Sequence, residues 1–528
     1  MSFDLLPVQE GGGEKEPQNS LDGSLDASSI ELVLHPLITI ERTRPQSGRY
    51  PSSKRLAEVG NDGEILMPAT PLDRLPSVDA DTWAPSGPES PGTSDRISGL
   101  RGFLKNFSTV GYQLILVSII CLLGPGMWNA LNGIGGAGLL ASGPSNDANV
   151  SLYSTFSVMG FFAGIFVNKL GPRVCLAVGG LGYALYTGSL FCYKQIANEG
   201  FLIFSGLLLG ICAGIFWAAQ IFMTVSYPGA GKKGRAIGSF LGIYNSGAVI
   251  GSLISLVQNL HSPANEVDDG TFIAFIALAF SGSLIALTVL RKPENVLRED
   301  GTYVSLPDTS SWKEEMHESF KALYSDWYIL LLFPMFFASN FFYPYQFNTF
   351  NLPNFDIRTR SLNNVVYWLA EIASGYLTGW LLELRWMRQS TRARLTLCIL
   401  VVQTCGVWTA AYIWDMKVAG WGTGVLKMDY HAQLYPVSAI LYAAFGFLAA
   451  AYNTYLMWAI GCLIDDPQKV AHLAGFYKGV QSAGAAVAFR VNSYHIKAGS
   501  EIILNGALLA GGLAIALPLV VKNIKDRP

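Results

Sequence analysis

The sequence predicts an all-α membrane protein, with twelve transmembrane helices set out as two six-helix pseudo-repeats and both chain ends in the cytosol. Three observations carry that prediction. Apolar residues make up 51% of the 528 and charged ones only 14%, where a soluble domain holds nearer a quarter charged. About half of the chain falls into apolar runs of about 20 residues with few charges, the length that crosses a bilayer as a helix. Finally, a short polar turn at 164–173 returns in degraded form 215 residues later, where Gly379, Glu383 and Arg388 stand at the offsets of Gly164, Asn168 and Arg173.

Taken in order, residues 1–98 are rich in Pro, Ser, Gly, Asp and Glu and lack a periodic apolar pattern. They read as a disordered acidic tail, with net charge near −8 against +6 for the remainder. No basic stretch there precedes an apolar one, so the first span is expected to act as the targeting signal itself. Spans are expected near 109–131, 149–168, 173–193, 201–225, 234–258 and 270–290, within an N-terminal bundle at 107–290. A second bundle at 327–521 is expected to hold spans near 327–348, 361–383, 393–414, 435–463, 470–494 and 501–521, before a short cytosolic tail at 522–528. Placing the N-terminus in the cytosol puts about 20 Lys and Arg on that side and about 6 on the other, as positive-inside orientation requires. The cytosolic clusters include Lys232, Lys233 and Arg235, and Arg385, Arg388, Arg392 and Arg394.

A cytosolic linker at 291–326 joins the bundles. Ser311 and Glu314 form a capping-box pattern, and Trp312, Met316, Phe320, Leu323 and Trp327 follow at helical spacing. This predicts an amphipathic helix along the membrane surface. All seven cysteines lie in or at the edge of spans, where they read as small packing residues rather than disulfide or metal ligands.

Two further echoes support the repeat. Phe240, Asn245 and Ser246 in span five match Phe476, Gln481 and Ser482 in span eleven, and Gly210 in span four matches Gly446 in span ten, both at an offset of 236. Two parallel six-span repeats place a transport site at mid-membrane between the halves.

Spans one and seven are the interrupted ones. Pro125 stands among glycines and is followed by Asn129 and Asn132; Pro344 stands beside Asn340, Gln346, Asn348 and Asn351. Proline removes a helical hydrogen bond, and freed backbone at membrane depth must face protein or a water-filled cavity. Trp217 and Gln220 in span four, Asn245 in span five and Gln481 in span eleven complete an amide-rich, aromatic lining suited to a neutral or zwitterionic solute. The alternative for each is interhelical packing and hydrogen bonding. Charges inside spans are Glu371, Lys478 and Arg490. Glu371 is the candidate proton-coupling carboxylate, and a static Glu371–Lys478 or Glu371–Arg490 pair is the competing expectation. The turn at 164–173, with Gly164, Asn168, Lys169, Gly171 and Arg173, and its echo at Glu383 and Arg388, is the candidate cytosolic gate. The sequon Asn149-Val150-Ser151 abuts span two too closely for use. No phosphate loop, nucleophile elbow, paired-carboxylate site or metal-ligand spacing appears, so neither enzyme chemistry, a cofactor nor nucleic-acid binding is expected.

The runs Gly124-Pro125-Gly126-Met127-Trp128-Asn129-Ala130-Leu131-Asn132-Gly133, Asn168-Lys169-Leu170-Gly171-Pro172-Arg173, Gly214-Ile215-Phe216-Trp217-Ala218-Ala219-Gln220 and Ile357-Arg358-Thr359-Arg360-Ser361-Leu362-Asn363-Asn364 together resemble the Unc-93-like branch of the major facilitator superfamily, over about 105–520. Asn168 departs from the acid usual in the wider superfamily, and Ala137 ends a glycine run that is longer in the branch. The resemblance implies the major facilitator fold and two activities: secondary transport of a small solute, or regulation and trafficking of an ion channel or other membrane protein. It leaves plasma membrane and endomembranes both open.

Overall fold

Prolines and glycines set where the helices of this chain bend and stop. The structure, a computed structural model, describes residues 108–228, 233–260, 266–298, 301–304, 327–384, 386–419, 427–463 and 467–526. The acidic tail at 1–98, the amphipathic helix expected within the linker, Lys232 and Arg385 lie outside the described residues.

In the first half, α1 is Val110–Gly133. Pro125 has no N–H to donate, and the ladder around it widens into a π-helical turn at Leu122–Gly126, a feature that recurs at functional sites. A helical run at Gly143–Ile196 breaks at Gly171, whose φ of 77° and ψ of 155° suit glycine and disfavour a side chain. The break divides it into α2 (143–170) and α3 (172–196), with Pro172 opening α3 where a missing N–H costs nothing. Next come α4 (Glu199–Ser226), α5 (Lys233–Asn259) and α6 (Asp269–Thr288). Asn198 caps α4 by accepting from Phe201 N at 3.0 Å, and Asp268 caps α6 by accepting from Gly270 N at 2.9 Å. Both satisfy donors that helix geometry leaves without partners.

The second half repeats the plan. Its first segment, α7, is broken into turns at Trp327–Leu332, Phe333–Ala338 and Leu352–Asn354, with a π-helical run at Tyr345–Asn351 following Pro344. Both proline interruptions expected from the sequence are therefore present. The remaining helices are α8 (Ile357–Glu383), α9 (Gln389–Ala419), α10 (Tyr435–Leu463), α11 (Pro467–Ser493) and α12 (Ala498–Asn523). Helical turns thus fall on every predicted stretch. Among the described residues, eight helical runs are long and apolar enough to cross a membrane, with α2 and α3 counted as one continuous run and the broken α7 not among them. Polar residues such as Arg358, Arg360 and Glu371 on α8, and Lys478 and Gln481 on α11, lower the apolar signal of those two.

The halves pack by exchange. Ser157 of α2 donates to Gly479 O of α11 at 2.8 Å, and Phe161 meets Phe476 edge-on at 6.0 Å. In the mirrored place, Gly242 of α5 lies against the Tyr376 hydroxyl of α8. A two-fold that maps helices one to six onto seven to twelve swaps these pairs. The glycine echo has the same basis: a Cβ at Gly210 would strike Leu152 and Thr155 of α2, and one at Gly446 would strike Tyr367 O of α8. Each glycine lets the fourth helix of its half approach the second.

The turn at 164–173 is only partly repeated. Arg173, at the start of α3, donates to Leu287 O in the last turn of α6 through Nε at 2.8 Å and through Nη2, a cation on an orphan helical carbonyl. In the second half the corresponding bond, to Val521 O near the end of α12, comes from Arg394 at 3.3 Å. Arg392 closes α8 by donating to Leu382 O at 2.6 Å. Spacing alone paired Arg173 with Arg388; the bonding pairs it with Arg394, six residues farther on.

Candidate functional site between the halves

Near the middle of the bundle, side chains of both halves meet in one polar, aromatic cluster. Asn129, one helical turn past the Pro125 break, donates to the Tyr244 hydroxyl of α5 at 2.8 Å. Tyr244 meets Trp217 of α4 edge-on at 5.4 Å, and Trp217 Nε1 donates to the Tyr183 hydroxyl of α3 at 3.1 Å. From the other half, the Lys478 ammonium lies 5.7 Å from the Trp217 ring centre and 5.3 Å from that of Tyr477, within cation–π range. Lys478 also donates to Gln481 Oε1 at 2.8 Å. The Gln481 amide nitrogen lies between 2.7 and 3.1 Å from the oxygens of Tyr477, Ser339, Asn340 and Asn453.

Glu371 of α8 is 7% exposed and within electrostatic reach of Tyr244, Tyr343 and Tyr367. Among the described residues its carboxyl makes no hydrogen bond and no ion pair. Neither static pair weighed from the sequence forms. Lys478 is spent on Gln481 and the two rings, and Arg490, at the far end of α11, pairs with Asp147 of α2 at 2.9 Å. Glu371 is left as a lone acid between aromatic walls.

Toward the Gly135 end of the bundle the halves are joined by a lattice of buried amides. The last turn of α1 leaves carbonyls without helical partners, and the other half supplies donors. Asn364 Nδ2 donates to Ala130 O at 2.6 Å, and Asn351 Nδ2 and the Tyr442 hydroxyl each donate to Gly133 O at 3.1 Å. Gly133 must be glycine, because a Cβ there would overlap the Asn364 amide.

A second string of bonds runs through the same layer. Glu501, in the first turn of α12, accepts from Thr349 Oγ1 at 2.5 Å and from Asn492 Nδ2 at 2.8 Å. Asn492 Oδ1 accepts from Asn146 Nδ2 at 2.8 Å, Asn146 Oδ1 accepts from Asn348 Nδ2 at 2.7 Å, and Asn348 Oδ1 accepts from Gly136 N at 2.7 Å. The ends of this string have fixed roles. An ionised carboxylate only accepts and a backbone N–H only donates, so the orientation of all three intervening amides is forced. Ser255 and Ser361 add a hydroxyl contact of 3.2 Å between α5 and α8.

The predicted lining residues therefore divide. Asn129, Trp217 and Gln481 come together in the central cluster, and Asn245 is half-buried beside Tyr244 on α5. Asn348 instead belongs to the end lattice. Asn132 is buried and accepts from Asn149 at 3.1 Å, while Gln346 accepts from Tyr367 at 2.9 Å and Gln220 donates within its own helix to Thr224 at 3.1 Å. Asn149, the sequon asparagine, is buried in this packing. Sequence reasoning missed Glu501, Asn146 and Asn492; it placed Asn351 in the interrupted span seven and Asn364 in a family-like run without assigning either a bond across the halves. Nothing in the sequence singles out Glu501, since an acid in a first helical turn is ordinary and complements the helix dipole.

The sequence profile of the Major Facilitator Superfamily matches residues 107–489. An UNC93-like protein of Schizosaccharomyces pombe is 43% identical over 416 residues, covering 78% of this chain and 82% of the relative. UNC93-like protein 1 of Arabidopsis thaliana is 38% identical over 426 residues, covering 78% and 91%. Among solved structures, a D-xylose–proton symporter superposes with a TM-score of 0.55 at 11% identity, covering 78% of this chain and 97% of the symporter. At that identity the likeness speaks for the fold.

Proposed function

The chain belongs to the Major Facilitator Superfamily and, within it, to the UNC93-like proteins, and from that premise we propose that it carries a small solute across a membrane by alternating access between its two six-helix halves. The observation that supports this most is the contrast between the two layers of the inter-half interface. Near the Gly135 end the buried contacts between the halves are neutral amide and hydroxyl bonds, with one ion pair, Arg490–Asp147, at the exposed rim. Each such bond contributes on average about 0.6 kcal/mol between membrane helices, and water replaces it when the interface parts. That is an interface suited to opening. Deeper in, Glu371, Lys478 and Trp217 lie at the interface without a charge pair between them. An uncompensated charge at membrane depth costs at least roughly 2.5–3.5 kcal/mol, which a bound proton or a polar solute relieves.

In this reading Asn129, Trp217, Tyr244, Lys478 and Gln481 contact the solute, Glu371 couples its passage to a proton, and the amide lattice is the exterior gate. The amide and indole donors favour a neutral or zwitterionic solute that hydrogen-bonds. The rival, a regulator or escort of another membrane protein, keeps the same fold but needs no solute.

Thermal unfolding of the purified protein against pools of small solutes separates the two. A solute at one hundred times its Kd stabilises by about 2.7 kcal/mol, a readily measured rise in Tm. The proposal expects at least one solute to raise the Tm of the wild type and to lose that effect in Asn129→Ala and Trp217→Ala. No responsive solute, or full responses in both variants, would refute the site.

A further inference from the structure

A cavity of about 330 Å³ lies apart from the central cluster, near the Gly135 end of the second half, where the π-helical part of α7, the end of α9 and the α11–α12 turn meet. Its walls include the rings of Tyr345, Phe350 and Trp414, the Thr349 hydroxyl and the Asp415 carboxylate. Asp415 is half-buried, and among the described residues it makes no hydrogen bond and no ion pair. Lys497, beside the lining residues Ile496 and Ala498, is exposed and forms no ion pair with it.

A lone carboxylate in an aromatic cavity has a definite complement. Ring faces carry negative quadrupole density and attract cations, most strongly cations with a diffuse, weakly hydrated charge. The cavity is too large for a bare metal ion. Among the described residues no group of three or more His, Cys, Asp or Glu side chains is placed to hold a metal. A neutral apolar occupant would bury Asp415 further without pairing it, which is costly. We propose that this cavity is a binding site for a quaternary or primary ammonium group, held by the Asp415 carboxylate against the Tyr345, Phe350 and Trp414 rings. The ammonium belongs either to a free organic cation or to a lipid headgroup at the membrane interface. The site does not depend on the chain being a transporter.

The test uses the full chain in nanodiscs of phosphatidylglycerol or of phosphatidylcholine, with Tm followed as tetramethylammonium chloride replaces sodium chloride at constant ionic strength. In phosphatidylglycerol the wild type is expected to show a saturable rise. Asp415→Asn should weaken the apparent affinity at least tenfold, and Asp415→Glu should retain it. An equal response in phosphatidylcholine assigns the site to free cations. A wild type already raised in phosphatidylcholine, insensitive to added salt and lowered by Asp415→Asn, assigns it to the choline headgroup. The proposal is overturned if no saturable response and no Asp415-dependent difference between lipids appears, or if folded, monodisperse Asp415→Asn responds like the wild type.

Discussion

Replacing Asn146 with Leu removes the middle link of the string that joins the halves. The side chain keeps its branched outline of four heavy atoms, with two bulkier methyls in place of the amide, but loses both roles it holds: accepting from Asn348 Nδ2 at 2.7 Å and donating to Asn492 Oδ1 at 2.8 Å. Asn146 is fully buried, so in the closed form two groups are left without partners. Orphaned buried groups cost about 1–3 kcal/mol each, while the average worth of an interhelical bond in membranes sets a floor near 0.6 kcal/mol per bond. A working figure of about 2 kcal/mol in favour of the parted state shifts its population relative to the closed one by roughly 30-fold. Neither neighbour restores the lost bonds by turning over, because Asn492 is held by the Glu501 carboxylate and Asn348 by Gly136 N. Spin labels at Leu140→Cys and Tyr494→Cys, which are 62% and 72% exposed and lie in opposite halves at this end, report the separation once the accessible native cysteines are replaced by serine. Asn146→Leu should add a longer-distance population in the dipolar distribution. An unchanged distribution in a folded variant would refute the reasoning that these amides hold the halves together.

Other outcomes follow from the same geometry. Glu501→Gln replaces a carboxylate acceptor with a neutral amide, so the polarity of the string is fixed from the Gly136 N end alone and the bonds from Thr349 and Asn492 lose their charge assistance; the same label pair should lengthen, less than in Asn146→Leu. Gly133→Ala drives a methyl into the Asn364 amide and should destabilise by about 1–3 kcal/mol, the usual range for overpacking, read as a lower Tm, whereas Gly143→Ala, at a position open to added volume, should be near neutral. At the opposite end, Asp526 accepts from the backbone N–H and the hydroxyl of Ser390 at 2.9 and 2.8 Å, and these bonds hold its carboxyl below the usual range. A depressed acid contributes stability above its unfolded pKa, near 3.9, and loses it as the pH falls through its lower folded value. Protection of the Ser390 amide from hydrogen exchange, corrected for intrinsic rate, should therefore fall in acid below about pH 4, and Asp526→Asn should abolish that dependence.

The helix plan was legible because it rests on span length, charge depletion and helix breakers, all local properties. Pro125 and Pro344 marked the two π-helical interruptions, and the Gly210–Gly446 echo marked a shared backbone approach that leaves no room for a side chain. Side-chain partnership was less legible. Asn348 and Asn129 look alike in sequence, both being amides just past a broken turn, yet one joins the lattice and the other bonds Tyr244 at the centre. The difference is depth along the bundle, which depends on how the two halves meet. Glu501 and Asp147 sat at predicted span ends, where an acid reads as a solvated flank; only the packing of α12 and α2 against α11 shows that one anchors a buried string and the other pairs with Arg490. Arg394 was passed over for Arg388 because spacing records the repeat of the chain and not the reach of a long side chain.

Uptake by proteoliposomes holding the full chain is the most direct measure of the central claim, using a solute that raises its Tm and an imposed pH gradient. The account predicts uptake that follows the gradient in the wild type, is lost in Asn129→Ala, and becomes independent of the gradient in Glu371→Gln. Wild-type uptake no greater than that of protein-free vesicles, for every solute that binds, would contradict it.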